Sequence, residues 1–182
     1  MKRTIILGVT GSISAYKACE LTRQFVKAGD DVHVVMTDSA AKFVTPLTFL
    51  TLSRNPVGTD GFEPMDGWKP AHIELAAKAD CFVVAPATAN IIAKLANGIA
   101  DDLLTNVALA NKAPVVIAPA MNTAMWENPA TQANVQTLVS RGVRIVDTEE
   151  GELACGVKGS GRMASCEAIV AAVDEMLSRK DD

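Results

Sequence analysis

A three-layer αβα sandwich around a mostly parallel sheet of five to six strands is what this sequence predicts, on three observations. Short β-rich runs alternate with helical stretches along the whole chain. The runs are apolar at odd and even positions alike, as strands covered by helices on both faces are. The first run also opens into Gly8-Val9-Thr10-Gly11-Ser12 and then a helix, the place where such sheets present backbone N–H groups to an anion.

In chain order, Thr4 to Val9 is the first strand, rich in β-branched and aliphatic residues. An amphipathic helix over Ala15 to Lys27 stops at Gly29, a residue type that closes helices in the left-handed conformation. Asp31 to Met36 is the second strand. Asn55 to Pro70 holds three prolines and three glycines among polar residues and reads as a long loop, after which a helix begins near His72. Cys81 to Ala85 is the third strand. Helices follow at Ile91 to Asn97, closed by Gly98, and at Asp102 to Asn111; Pro114 to Ala118 is the fourth strand. Pro129 suits the first position of a helix that runs to Arg141 and ends at Gly142. Val143 to Val146 is the fifth strand, and Glu167 to Arg179 a last helix. Between them, Thr148 to Ala164 holds four glycines and neither a helical nor a strand period. Loops this long in a compact domain are more often functional than decorative.

The 182 residues fit one domain, 1 to 182, with no internal repeat, low-complexity tract or linker. With 49% hydrophobic and 21% charged residues the chain is not disordered, and no apolar run approaches the roughly 20 residues that span a bilayer. Seventeen basic against 21 acidic side chains, a net charge of −4, give no positive excess for nucleic acid or anionic lipid. The apolar run after Lys2-Arg3 is too short for a signal peptide, so a soluble, cytoplasmic protein is expected. Cys19, Cys81, Cys155 and Cys166 lie far apart without a C-x-x-C pair, which argues against a disulfide framework and a metal site.

Several residues have chemistry to offer. The G-x-x-G spacing of Gly8 and Gly11, with no acidic residue closing the second strand, favours a phosphomonoester such as a flavin mononucleotide over a dinucleotide. Thr37 and Ser39 either help to hold that phosphate or, in the case of Ser39, cap the next helix. Pro86-Ala87-Thr88-Ala89-Asn90 and Pro119-Ala120-Met121-Asn122 both place a proline, small residues and an asparagine just past a strand's carboxyl end. Small residues admit a flat ring, and asparagine suits a heterocycle edge or a carboxylate; the alternative is that both asparagines are helix caps. His72 is the side chain best suited to take a proton at neutral pH, whereas His33 reads as an ordinary strand residue. Cys155, in the glycine-rich loop near Lys158 and Arg162, is the reactive candidate among the thiols; Cys19 and Cys81 read as buried hydrophobes.

Gly11-Ser12-Ile13, His72-Ile73-Glu74-Leu75, Pro86 to Asn90, Pro119 to Asn122 and Ala154-Cys155-Gly156 with Gly159 to Met163 occur in one order along nearly the whole chain. In this the sequence resembles the homo-oligomeric flavin-containing cysteine decarboxylases, and within them the branch that serves coenzyme A biosynthesis. The resemblance implies a Rossmann-like fold that binds FMN and assembles as a homotrimer or dodecamer, with the flavin near a subunit interface. By position it implies flavin contacts from Gly11, Ser12, Ile13, Thr37, Ser39, Thr88, Ala89, Asn90, Ile91 and Ala120. It makes His72 the base, Asn122 the carboxylate binder and Cys155 the proton donor. Met125, Glu152, Leu153 and Ala154 would line the substrate, the last three within a flap from Glu149 to Met163.

The activity so implied is decarboxylation of 4'-phosphopantothenoylcysteine to 4'-phosphopantetheine through thioaldehyde and enethiol intermediates, with a separate phosphopantothenoylcysteine synthetase as a possible partner. FMN would supply the electron sink that a cysteine carboxylate lacks. A peptidyl-cysteine decarboxylase of the lantibiotic type needs no donor at Cys155, a flavin prenyltransferase lacks the His72 and Asn122 pattern, and a non-catalytic FMN-binding regulator needs none of the three. Two departures stand out: Thr88 where the family often has serine, and apolar Val157 where it often has an acid.

Overall fold

Five parallel strands form the main sheet in the order β2-β1-β3-β4-β5: β1 (Thr4–Val9), β2 (Asp31–Met36), β3 (Cys81–Ala87), β4 (Val115–Pro119) and β5 (Arg144–Ile145). The computed structural model describes residues 2–61, 70–152 and 158–178. Around the sheet lie α1 (Ala15–Lys27), α2 (Asp38–Ala41), α3 (Pro46–Ser53), α4 (Ala71–Lys78), α5 (Ala89–Asn97), α6 (Leu103–Ala110), α7 (Thr123–Trp126), α8 (Pro129–Ser140) and α9 (Cys166–Ser178). A separate antiparallel hairpin joins β6 (Glu149–Glu152) to β7 (Lys158–Arg162).

Alternation along the strands explains why both parities are apolar. Ile5, Leu7 and Val9 of β1 face a core completed by Ala18 and Phe25 of α1, Phe49 of α3 and Ile169 of α9. Ile6 and Val84 face the other core, with Leu75 of α4, Ile91 and Ile92 of α5, Leu104 of α6 and Leu138 of α8. The sheet is thus covered on both faces, and the αβα prediction holds.

The boundaries of β1, β2 and α1 agree with the sequence, but three readings need correction. Residues from Thr148 to Ala164 are not one irregular loop, since they contain the β6–β7 hairpin, whose glycines dock by backbone and leave no alternating pattern. The strand expected over Val143 to Val146 is reduced to the two residues of β5, which pairs with β4 alone at the sheet edge. The sequence gives no range for α2, α3 or α7, and only the capping alternatives at Ser39 and Asn122 point to two of them: those two have four residues each, and α3 has apolar side chains on opposite sides, with Phe49 buried and Leu47 and Leu50 exposed.

Topology locates the site. The chain passes from β1 to β2 on one side, then returns past β1 to β3 on the other, so the carboxyl ends of β1 and β3 flank the point where strand order reverses. Doubly wound sheets bind ligands in the crevice at that point.

Candidate functional site

The rim at the switch point is held by Thr10, which is 2% exposed. Its hydroxyl donates to the Pro86 carbonyl at 2.7 Å and accepts from the Thr88 N–H at 3.1 Å, tying the β1 loop to the β3 loop. Beside it, a Cβ on Gly11 would lie 2.4 Å from the Ser39 Cβ, so only glycine lets these two loops meet. The Ser12 N–H bonds the Thr10 carbonyl, its hydroxyl accepts from Ser14, and Ile13 is exposed at the rim.

Helix caps settle two open alternatives differently. Thr37, not Ser39, caps α2, accepting from Ala40 at 3.2 Å, and Ser39 is exposed within that helix. Thr88 caps α5 by accepting from the Ile91 N–H, so Asn90 is no cap and stands exposed in the first turn beside half-buried Ala89. Ile91 has its side chain in the core at 1% exposure. Asn122 does cap α7, its Oδ1 accepting from Ala124 at 2.9 Å.

A cavity of about 490 Å³ opens here, and it brings together Gly11, Thr37, Ser39, Thr88, Ala89, Asn90, Ile91 and Met125. Sequence reasoning missed Thr10, Asp38, Lys94, Asp101 and Asp102 in the same lining; of these only the Asp102-x-x-Thr105 capping box carried a local signal. Ser12, Ile13, Ala120, Asn122 and His72 stand outside this lining. Ala120 is nearly buried, its N–H donating to Ala87 at 2.9 Å. The volume lies in the ordinary range for cofactor sites. Neutral hydroxyls at one end, a glycine with no space for a side chain and small residues on the third strand's turn fit a flat ring with a phosphate tail.

His72 is the second residue of α4 and half-buried. Because α4 leads down to Asp80, whose N–H bonds Thr4 at the amino edge of the sheet, its first turn lies toward the carboxyl rim. Glu152 ends β6, while Leu153, Ala154 and Cys155 lie outside the described residues. Cys81 is buried as expected, but Cys19 is only half-buried. Burial pushes the thiols of Cys19 and Cys166 up, which disfavours the thiolate.

The hairpin is fastened to the β4–α7 turn. Met121 donates its N–H to Gly161, and the Thr123 hydroxyl donates to the Ser160 carbonyl at 2.7 Å. A Cβ on Gly159 would sit 2.4 Å from the Thr123 hydroxyl. The root of the segment expected as a flap is therefore seated beside Asn122 and Met125.

Fold and site define a doubly wound αβα protein with a cavity at its switch point. The chain belongs to the flavoprotein family, whose model, described as "Flavoprotein", matches residues 1–178. It is 45% identical over 179 residues to the "Probable phosphopantothenoylcysteine decarboxylase" of Streptococcus mutans, covering 97% of this chain and 100% of that protein. It is 51% identical over 168 residues to the "Coenzyme A biosynthesis bifunctional protein CoaBC" of Bacillus subtilis, covering 92% of this chain but 41% of that protein. The chain thus spans less than half the length of such bifunctional relatives. Among solved structures, a mutant PPC decarboxylase complexed with pantothenoylaminoethenethiol superposes with a TM-score of 0.89 at 32% identity, covering 98% of this chain and 100% of that one. The FMN-dependent cysteine decarboxylase SpaF gives 0.86 at 35% identity, covering 99% and 98%.

Proposed function

We propose that this chain decarboxylates 4'-phosphopantothenoylcysteine to 4'-phosphopantetheine in coenzyme A biosynthesis, with FMN as cofactor. The observation that carries the reading is the switch-point cavity, walled by Gly11, Ser39, Thr88 and Met125 beside the Asn122 turn. Its support is the match over the full length of the Streptococcus mutans protein and the likeness to a PPC decarboxylase holding an enethiol.

When bound, the flavin supplies a reversible two-electron sink, so the substrate's C–S unit is oxidised before CO2 leaves and reduced again afterwards. The hydroxyls of Thr37 and Ser39 hold the phosphate. Gly11, Ser12, Ile13, Ala120 and the turn from Thr88 to Ile91 receive the ring. His72 takes the proton that the opening oxidation releases, a role worth about 10²- to 10⁴-fold in rate. Asn122 binds the substrate carboxylate without adding a like charge, and Met125, Glu152, Leu153 and Ala154 line the rest of the substrate. Cys155 delivers the proton that accompanies the two-electron reduction of the enethiol to the saturated thiol.

The working unit in this reading is a cytoplasmic homo-oligomer, a trimer or dodecamer, and exposed Tyr16, Phe43, Leu47 and Leu50 are among the apolar side chains available for such contacts. No helix among the described residues is long and apolar enough to cross a membrane. The fused relatives support a separate synthetase as functional partner.

The test is to incubate the flavin-loaded protein with 4'-phosphopantothenoylcysteine and follow the mass of the product. Loss of CO2 with no change in hydrogen count is expected. Loss of CO2 plus two hydrogens would replace this reading with peptidyl-cysteine chemistry, and no loss would overturn it.

A further inference from the structure

Lys94 is the cation that lines the switch-point cavity among the described residues, against three carboxylates, Asp38, Asp101 and Asp102. It stands on α5 one turn beyond Asn90, so the two share a helix face. Its ammonium donates to both Asp101 oxygens at 2.7 and 2.8 Å and lies 3.8 Å from Asp102 Oδ2. Asp102 is fixed in turn, because its other oxygen accepts from the Thr105 N–H and hydroxyl in a capping box. The Lys94 side chain is 19% exposed, and it also lines a second, largely apolar cavity with Phe82, Leu95 and Ile99. Its methylenes thus form a wall between two cavities while its charge goes to the carboxylates.

Beside its hydroxyls, the lining carries three carboxylates to one ammonium. Asp38 is exposed and the Asp101 side chain is 56% exposed, so water screens part of their repulsion of an anion, while half-buried Asp102 keeps more of its own. Resting on the reading of this cavity as the FMN site, we propose that Lys94 is a specificity-determining residue there: it offsets one of the two charges of Asp101 and Asp102 and so eases the entry of a phosphate-bearing flavin. This role needs no contact between Lys94 and the cofactor.

The experiment titrates the flavin-free protein with FMN and, separately, with riboflavin, which lacks the phosphate. Lys94→Met is expected to weaken FMN binding about tenfold or more while changing riboflavin binding by less than about threefold. The double variant Lys94→Met with Asp101→Asn should recover most of the loss, and Asp101→Asn alone should bind FMN at least as well as the parent. Equal losses for the two ligands, no loss, or weaker FMN binding in Asp101→Asn would each overturn the proposal. A parent protein that binds neither flavin would instead sink the cofactor reading itself. Should Lys94→Met fail to fold, Asp101→Asn alone still decides the sign.

Discussion

The Met121 N–H donates to the Gly161 carbonyl at 2.9 Å, while a Cβ on Gly161 would lie 2.5 Å from the Met121 carbonyl oxygen. One glycine therefore serves two ends: it sits at φ 106°, which side chains rarely adopt, and it lets the hairpin reach the turn that carries Asn122. Gly161→Ala is expected to cost more than the roughly 1–2 kcal/mol of left-handed strain alone, because the Met121 backbone must also move. Gly142, at φ 84° with open space around it, is the control, since Gly142→Ala meets only the strain. Urea midpoints of the two variants should differ in that order; equal costs would show that the Met121 contact is soft.

Gly11 meets Ser39 in the same way on the side proposed for the cofactor, with 2.4 Å between Ser39 Cβ and a built Cβ. Gly11→Ala should push the two loops apart and weaken FMN binding by at least about tenfold, a loss of roughly 1.4 kcal/mol. Adding Ser39→Gly makes room and should restore part of the affinity, less whatever the Ser39 hydroxyl contributes to phosphate. Fluorescence titration of FMN checks both. No recovery in the double variant would separate the Gly11 effect from this contact.

His33 supplies a pH dependence. Burial, then the charge of Lys78, holds its imidazole below the usual histidine range, and its Nδ1 is buried with no partner among the described residues. Nε2 lies 3.3 Å from Asp31, and Glu74 faces the ring from α4. Because protonation is harder in the folded state, no penalty exists well above the unfolded value of about 6.5, and it grows as pH falls through that value toward the folded one. Asp31, held below the usual carboxylate range with help from Asn55 and His33, adds its own loss only at lower pH. The fall in stability between pH 7.5 and 5.5 should shrink in His33→Gln. An unchanged slope would assign it to other groups.

Much of this was legible in the chain. Continuous apolar runs such as Ile5, Ile6 and Leu7 read as strands buried on both faces, and Gly29 and Gly98 marked where helices stop. Glycine and small residues at strand ends also marked part of the rim that lines the switch-point cavity, among them Gly11, Thr88 and Ala89. What stayed hidden depends on contacts between distant segments. Nothing near Thr10 signals that its hydroxyl will bridge to Pro86 and Thr88, 76 and 78 residues away. Nor does the α5 pattern say that Lys94 will turn to the start of α6. The hairpin escaped because Gly159 and Gly161 pack by what they lack, and hydrophobic periodicity cannot register a missing side chain.

Asn122 permits a test that separates architecture from chemistry. Its Oδ1 caps α7 by accepting from Ala124, and an aspartate at that position keeps an oxygen in the same place. Asn122→Asp should therefore melt near the parent temperature and bind FMN unchanged. The substrate carboxylate would then face a like charge, and misplacement of a reacting group commonly costs about 10²-fold, so kcat/KM should fall by about that factor or more. Asn122→Ala reverses the pattern on the structural side, with loss of the cap costing about 1 kcal/mol. A cap residue with no part in binding would make the alanine variant the worse of the two in both stability and activity. A carboxylate binder makes the aspartate variant stable and nearly inactive, and steady-state kinetics beside thermal melts of the two proteins distinguish the outcomes.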